Sequence, residues 1–174
     1  GHWHIVRLLL AAGCDKDTPN RHGDIPLYVA AVGGHEGVVD KLLAAGCDKD
    51  KPNRNDETPL YVAALNGHWH IVRLLMAAGC DKDKPDYAGR TPLYIAVLRR
   101  HLGVVQDLLA AGCDKDKPDR NGLTPLYNAV SNKDENMVRV LLDANCDPYV
   151  VNIFSLEKCN VNIKEMFYEE VRGR

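Results

Sequence analysis

The sequence predicts an all-α solenoid, in which short helix-turn-helix repeats stack side by side and are joined by β-turn or hairpin loops. Two motifs that recur every 33 residues predict this fold. The segment Ala-Ala-Gly-Cys-Asp-Lys-Asp begins at Ala11, Ala44, Ala77 and Ala110. The segment Pro-Leu-Tyr begins at Pro26, Pro59, Pro92 and Pro125. Self-similarity at a fixed period is typical of solenoids, because each repeat buries its apolar face only against its neighbours.

Each repeat is predicted to hold two short helices, as residues 53–85 illustrate. Thr58 is a favourable N-cap residue, and Pro59 then occupies the first helical position, where its missing N–H costs nothing. Gly67 and Gly79 are suited to end the first and second helices in the left-handed region. The second helix carries apolar residues spaced to form one face, Ile71, Val72, Leu74 and Leu75. Because such short helices are unstable alone, the core must be shared between repeats.

The period also sets the predicted boundaries of the repeats. Residues 1–19 correspond to the second half of a repeat, because they match residues 67–85 at 17 of 19 positions. Complete repeats are predicted at 20–52, 53–85, 86–118 and 119–151. Since the chain opens in mid-repeat and does not begin with Met, we expect a fragment of a longer protein with further repeats before Gly1.

Residues 152–174 lack the Thr-Pro-Leu signature and are predicted to be a degenerate C-terminal capping segment. Asn162 and Glu165 have the spacing of a capping box, in which a side chain caps the start of a helix. A helix starting there places four apolar residues on one face, Ile163, Met166, Phe167 and Val171. We expect this helix to cover the open end of the stack.

Taken together, the period, the two helices and the Thr-Pro-Leu motif resemble the ankyrin repeat. In one repeat the resemblance rests on Thr58-Pro59-Leu60, Ala63-Ala64, Gly67-His68, Ile71-Val72, Leu74-Leu75 and Gly79-Cys80-Asp81, and it covers residues 1–151. The chain departs from the family where tyrosine replaces the usual histidine, at Tyr28, Tyr61, Tyr94 and Tyr127. Cysteine replaces the usual alanine at Cys14, Cys47, Cys80, Cys113 and Cys146. The Gly-His between the helices changes to Arg100-His101 and then to Lys133-Asp134, which suggests that the array ends nearby.

The resemblance implies a non-catalytic surface that binds another protein through the turn tips and the exposed side of the first helices. Carried over by position, this surface holds Arg21, His22, Asp24, Arg54, Asn55, Glu57, Leu65, Tyr87, Arg90, Leu98, Arg99, Arg120, Asn121 and Leu123. The same positions also include Val32, Gly33, Asn66, Ala88, Ser131 and Asn132. These residues differ between repeats while the framework recurs, as in a specific surface on a fixed framework, although neutral drift gives the same variation.

The charge of this predicted surface differs from that of the whole chain. It carries five arginines against two acids, whereas the chain has a formal net charge of −2. Tyr87 and Leu98 add apolar anchors, and arginine and tyrosine are favoured at interface hot spots. We expect a concave face that binds an acidic, partly apolar protein segment, and the competing interpretation is an ordinary solvated face. Reversing the charges of Arg54, Arg90 and Arg120 is expected to slow association at low salt.

The periodic cysteines are predicted to be small buried hydrophobic residues with free thiols. Equivalent positions in stacked repeats lie about 8–10 Å apart, the usual helix-packing distance, whereas a disulfide needs Cα atoms within about 7 Å. The same spacing is too wide for a tetrahedral zinc site. Free thiols indicate a reducing compartment, the cytoplasm or the nucleus. Cys159 lies outside the ladder and receives no role.

Other recurring polar residues are also assigned structural roles. The Asp-Lys-Asp triplets lack the glycine and closing glutamate of a calcium loop and are interpreted as solvated turns. The histidines are expected to form hydrogen bonds between helices, because no His-Glu-x-x-His zinc motif is present in the sequence. Each periodic tyrosine ring is expected to pack between repeats, with its hydroxyl bound to a partner.

Several function classes are excluded or disfavoured by the sequence. It contains no triad order, Walker loop or dinucleotide glycine pattern, so we expect no catalysis, cofactor or metal. The near-neutral charge disfavours nucleic acid, and no apolar run approaches the roughly 20 residues that span a membrane. A monomeric protein-binding module is the leading interpretation. The alternatives are a targeting or regulatory module of an enzyme whose catalytic domain lies outside this segment, and a passive spacer.

Overall fold

The computed structural model describes residues 2–150 and 161–173, and across these residues it confirms an all-α repeat solenoid with ten α-helices and no strands. The first helices of the repeats are α2 (Pro26–Val32), α4 (Pro59–Leu65), α6 (Pro92–Leu98) and α8 (Pro125–Ser131). The second helices are α1 (Trp3–Ala11), α3 (Glu36–Ala44), α5 (Trp69–Ala77), α7 (Leu102–Ala110) and α9 (Glu135–Asp143). A 3-10 turn at Pro148–Val150 and helix α10 (Val161–Gly173) complete the described elements.

The helices form two layers that share one continuous core. First helices pack on first helices in the order α2, α4, α6 and α8, and each also packs on the second helix of its own repeat. Four leucines of the first layer are completely buried, Leu27, Leu60, Leu93 and Leu126. Four valines of the second layer are equally buried, Val39, Val72, Val105 and Val138. Each such side chain contributes about 1.5–3 kcal/mol when fully buried, and all lie in one cluster, so neighbouring repeats stabilise one another.

Helix starts and stops follow the predicted local rules. The side-chain oxygens of Thr58 and Thr91 accept hydrogen bonds from the third residue of the following helix, both at 3.1 Å, and Thr124 does so at 3.2 Å. Gly67 and Gly79 lie just after the helix ends with φ of +72° and +75°, as predicted. The backbone groups at these helix ends are therefore satisfied by residues of the same repeat.

Two periodic histidines connect second helices to the first helix of the preceding repeat, and for these two the predicted hydrogen bonds between helices are confirmed. The Nε2 atom of His101 lies 3.1 Å from the carbonyl oxygen of Leu65, and that of His68 lies 3.2 Å from the carbonyl oxygen of Val32. A carbonyl oxygen only accepts, so these nitrogens carry the hydrogen. The His101 ring also fills the space beside Gly67, because a Cβ added there would lie 2.6 Å from Nδ1.

Later in the chain, both residues of the contact between a glycine and the histidine of the next repeat are replaced together. Arg100 replaces the glycine and keeps the left-handed conformation, with φ of 63°. In the next repeat Asp134 replaces the histidine, and Nε of Arg100 donates a 2.7 Å hydrogen bond to Oδ2 of Asp134. Asp134 also caps α9 by accepting from the backbone N–H of Met137 at 3.2 Å. The Arg100–Asp134 ion pair thus replaces the contact between glycine and imidazole that the earlier repeats form. The two substitutions together preserve a contact between neighbouring repeats.

The Asp-Lys-Asp triplets do more than the predicted solvated turn. Oδ1 of Asp50 accepts a 2.8 Å hydrogen bond from the backbone N–H of Asp81 in the next repeat, and Nζ of Lys84 donates to the carbonyl oxygen of Asp50 at 2.8 Å. The same carboxylate contact recurs at Asp17–Asp48, Asp83–Asp114 and Asp116–Asp147. The solvated-turn interpretation was therefore incomplete, because these side chains satisfy backbone groups of the neighbouring repeat.

The cysteine ladder is free of disulfides in its five described members. Burial is confirmed for Cys47, Cys113 and Cys146, whereas Cys80 is half-buried and Cys14 is exposed. Cys14 follows α1, which has a stacked neighbour on one side in the described residues. Burial raises the pKa of Cys47 to about 11 and the pKa of Cys80 and Cys113 to about 12. Cys159 lies outside the described residues.

Helix α10 packs against α9 through Ile163 and Phe167, which are 0% and 3% exposed. The predicted N-cap at Asn162 is wrong, because this residue lies inside the helix. Its side-chain amide instead donates to Oε2 of Glu135 at 3.1 Å. Val171, expected on the apolar face, is 40% exposed. Residues 152–160 of the predicted cap lie outside the described part of the chain.

Candidate functional site

The turn that opens each repeat ends in a tip, and successive tips contact one another directly. The backbone N–H of Arg54 donates to the carbonyl oxygen of His22 at 3.3 Å. The equivalent bonds further along join Tyr87 to Asn55 at 3.0 Å and Arg120 to Ala88 at 2.9 Å. The side chains at the first tip position therefore form one continuous tip row, which consists of Arg21, Arg54, Tyr87 and Arg120.

Two glycines bring the arginines of the tip row against the preceding turn. A Cβ added to Gly23 would lie 3.1 Å from Cγ of Arg54, and one added to Gly89 would lie 3.2 Å from Cγ of Arg120. Both glycines have positive φ, +86° and +82°, which side-chain-bearing residues rarely adopt. The aliphatic parts of these arginine side chains thus pack against the neighbouring tip. Their guanidinium groups remain in solvent.

An asparagine or aspartate at the start of each turn shapes the tip. Oδ1 of Asp86 accepts from the backbone N–H groups of Ala88 and Arg90, both at 2.9 Å. The side-chain oxygens of Asn20, Asn53 and Asp119 accept the same pair of backbone hydrogen bonds. Sequence reasoning missed these four residues, although their recurrence every 33 residues before the tip was a visible signal.

Tyrosine hydroxyls connect each repeat to a carboxylate of the next turn, which confirms the predicted structural role. The pairs are Tyr28–Glu57 at 2.7 Å, Tyr61–Asp86 at 2.9 Å and Tyr94–Asp119 at 3.0 Å. Burial, followed by hydrogen bonding and repulsion from the carboxylate, raises the pKa of Tyr28 and Tyr61. The position that would serve Tyr127 falls at residue 152, outside the described residues.

Three residues of the predicted binding surface belong to this framework. Arg90 donates two hydrogen bonds, of 2.8 and 2.6 Å, to Oδ2 of Asp86, whose side chain is 0% exposed. Burial alone would raise the pKa of Asp86, but hydrogen bonds from Arg90 and Tyr61 outweigh it and hold this pKa below its usual value. Glu57 accepts from Tyr28 and Asn53, and Asp24 accepts from Asn20 and Asn53. Charge reversal at Arg90 would therefore disrupt the fold.

The first helices α4 and α6 expose little more than their last turn, whereas α2 also exposes Pro26 and Val29. Every residue from 58 to 64 and from 91 to 97 is buried, whereas Leu65 and Leu98 are half-buried and Val32 is exposed. These residues and the exposed Ser131 form a second line of side chains, the helix-end row, defined as Val32, Leu65, Leu98 and Ser131. The residues that follow them are Gly33, Asn66, Arg99 and Asn132, which are all exposed. The accessible surface therefore has a cationic row at the tips and an apolar row at the helix ends.

Arginine pairing varies in both layers, and on the second helices Arg7 and Arg139 form no ion pair with a described residue. In the second layer, Arg73 forms two 2.8 Å hydrogen bonds with Asp107. In the described part of the chain, no carboxylate lies within ion-pairing distance of Arg54, Arg99 or Arg120, and all three are exposed. Arg21 is also exposed, and its Nε donates to Nε2 of His22 at 3.1 Å. The surface thus presents three arginines that pair with no carboxylate among the described residues.

Other site types find little support in residues 2–150 and 161–173. No group of three or more His, Cys, Asp or Glu side chains there could hold a metal ion. None of the described helices is both long and apolar enough to cross a membrane. An open apolar groove of about 660 Å³ lies beside α1 and is lined by Ile5, Val6, Val29 and Val38 among others.

A recurring helical framework with exposed rows that differ between repeats defines the class of helical-repeat binding proteins. Within that class, the chain belongs to the ankyrin repeat family, because the family model described as ankyrin repeats (3 copies) matches residues 34–119 and 86–152. No curated protein matches the chain. Ankyrin repeats generally mediate protein–protein interactions, and the family is typically non-catalytic.

Proposed function

We propose that this chain is a non-catalytic module that binds an acidic, partly apolar segment of another protein across its tip row and helix-end row. The observation that carries the proposal is the continuous tip row, in which Arg54 and Arg120 are exposed and have no carboxylate partner among the described residues. At two other places arginines are paired with carboxylates, Arg90 with Asp86 and Arg100 with Asp134. Unpaired cations on a packed surface favour an anionic partner.

The framework supports this function because it fixes the arginines before any partner arrives. Backbone hydrogen bonds between tips hold their spacing, and the stems of Arg54 and Arg120 already rest on glycines of the preceding turn. Less side-chain entropy is then lost on binding. Tyr87, which is 54% exposed, and the half-buried Leu98 offer apolar contact beside the charges.

The test compares two variants with equal change in net charge. The tip variant carries Arg21→Glu, Arg54→Glu and Arg120→Glu, and the control carries Arg7→Glu, Lys133→Glu and Arg139→Glu at exposed positions outside both rows. Proteins captured from a cell extract by the wild-type chain are quantified by mass spectrometry. We expect the wild-type chain and the control to capture acidic partners that the tip variant does not capture. High salt should release these partners. The same captured proteins with all three chains would refute the proposal.

The free thiols bear on where such a module works. Cys47, Cys80 and Cys113 have raised pKa values and no disulfide, which suits a reducing compartment. We propose that the module acts as a monomer in the cytoplasm or nucleus. A disulfide-linked form of the protein isolated from its native cells would contradict this part of the proposal.

A further inference from the structure

The tip row has a spacing that selects a particular shape of partner. Tips of adjacent repeats are joined by single backbone hydrogen bonds of 2.9 to 3.3 Å, so the row advances by one repeat at each step. Stacked helical repeats are separated by about 8–10 Å, the usual distance between packed helices. A partner that contacts every tip must therefore present a side chain on one face about every 9 Å.

A polyproline II helix meets this requirement, whereas a β-strand does not. A polyproline II helix has three residues per turn and rises about 3.1 Å per residue, so every third side chain returns to the same face after about 9.3 Å. In a β-strand, residues three apart point to opposite faces. An α-helix needs about six residues to advance 9 Å, and its side chains drift around the axis over that distance.

The identity of the row residues then sets the sequence of the partner. The order along the array is Arg21, Arg54, Tyr87 and Arg120. Arginine favours a carboxylate, and exposed aromatic side chains are the usual docking surface for proline in polyproline II segments. The Tyr87 ring is accessible for this contact, since 54% of the residue is exposed.

We infer that the tip row binds a polyproline II segment of the pattern acid-x-x-acid-x-x-Pro-x-x-acid, or of the reverse order if the chains run antiparallel. This inference rests on the proposed function and specifies its partner. Each acid lies opposite Arg21, Arg54 or Arg120, and the proline lies against Tyr87. Specificity then arises because every third residue of the ligand lies opposite one repeat of the protein.

The test uses fluorescent ten-residue peptides with three glutamates and one proline among neutral residues, measured by anisotropy against the 174-residue chain. Two peptides carry the pattern in either direction, and the controls hold the same residues with glutamates two or four positions apart. We expect an in-register peptide to bind about tenfold or more tightly than the controls, as a few exposed ion pairs allow. Arg54→Glu should weaken it, and lysine at the glutamate facing residue 54 should restore binding to that variant alone.

The outcomes separate this inference from the proposed function. Equal binding of all peptides, no binding of any, or rescue by lysine at every peptide position would overturn the polyproline II register. The proposed function would still stand if the tip variant lost partners that the control variant captures. Conversely, identical capture by both variants would remove the proposed function, whatever the peptides do.

Discussion

Gly67 offers a sharp test of how neighbouring repeats constrain each other's sequence. Gly67 and Gly79 both follow a helix end with nearly the same positive φ, +72° and +75°. Their surroundings differ, because a Cβ on Gly67 would lie 2.6 Å from Nδ1 of His101 in the next repeat, whereas a Cβ on Gly79 would have no neighbour within 4 Å. Alanine at the two sites therefore separates backbone strain from the contact between repeats.

The expected magnitudes follow from these distances. Alanine in the left-handed region costs about 1–2 kcal/mol, and Gly79→Ala should lower the free energy of unfolding by that amount. Gly67→Ala carries the same strain and also displaces the His101 ring, whose Nε2 lies 3.1 Å from the carbonyl oxygen of Leu65. Losing this hydrogen bond adds about 0.5–1.5 kcal/mol, and the loss of packing around the ring adds to it. Gly67→Ala should therefore be the more damaging change by about 1–2 kcal/mol.

Urea denaturation followed by circular dichroism measures both variants, and a double variant gives the decisive comparison. Asp134 stands at the position of His101 in the repeat that follows Arg100, so His101→Asp should accommodate a Cβ at residue 67. We expect Gly67→Ala and His101→Asp together to be less destabilising than the sum of the single changes. Equal losses for the two glycine variants, or strictly additive effects in the double variant, would refute the reasoning.

Two further predictions concern thiols and acid. In Cys159→Ser protein at pH 8, a thiol reagent should modify the exposed Cys14 faster than Cys113, because Cys113 is buried and burial raises its pKa to about 12; equal rates for these two thiols in kinetic labelling would contradict it. The pKa of Asp86 lies below its usual value in the folded chain, so the unfolded chain binds more protons as pH falls. Its stabilisation is present above that value and is lost as pH falls through the folded pKa. The difference in unfolding free energy between wild type and Asp86→Asn should thus shrink in acid, and a constant difference would exclude this role.

Local rules explain which features the sequence predicts. Thr58, Pro59 and Gly67 act within a few residues of themselves, and all three take their expected positions. The triplet sequence predicts only a solvated turn at Asp50, because the acceptor role of this residue depends on the backbone of Asp81, which lies 31 residues away. Such roles depend on how repeats stack, so the residues next to Asp50 in the sequence do not predict them.

The candidate surface was predicted in part for the same reason. Positions carried over from the resemblance included Arg54 and Arg120, which the structure leaves exposed, and also Arg90, which it pairs with Asp86. The spacing of Asp86 and Arg90, four residues apart, hinted at an ion pair. Only the structure shows that the same carboxylate accepts from Tyr61, which makes the pair part of the framework.

The framework contacts also indicate which variable positions remain free for recognition. Each tyrosine needs one carboxylate in the following turn, and this carboxylate lies at the fifth position as Glu57 in one repeat and at the first position as Asp86 in the next. Where Glu57 takes that role, the first position is Asn53; where Asp86 takes it, the fifth position is Arg90. The two positions thus vary together to satisfy one contact.

The change from Arg54 to Tyr87 at the tip accompanies a change in the preceding turn, because Asp56 stands there where Gly23 and Gly89 precede Arg54 and Arg120. The tip side chains form no ion pair or side-chain hydrogen bond with another described repeat, and the backbone hydrogen bonds between tips form whichever residue is present. Variation at the first and fifth turn positions is therefore explained by stacking. Variation along the tip row satisfies no ion pair or side-chain hydrogen bond between described repeats, so this row is a surface where selection for a partner can act.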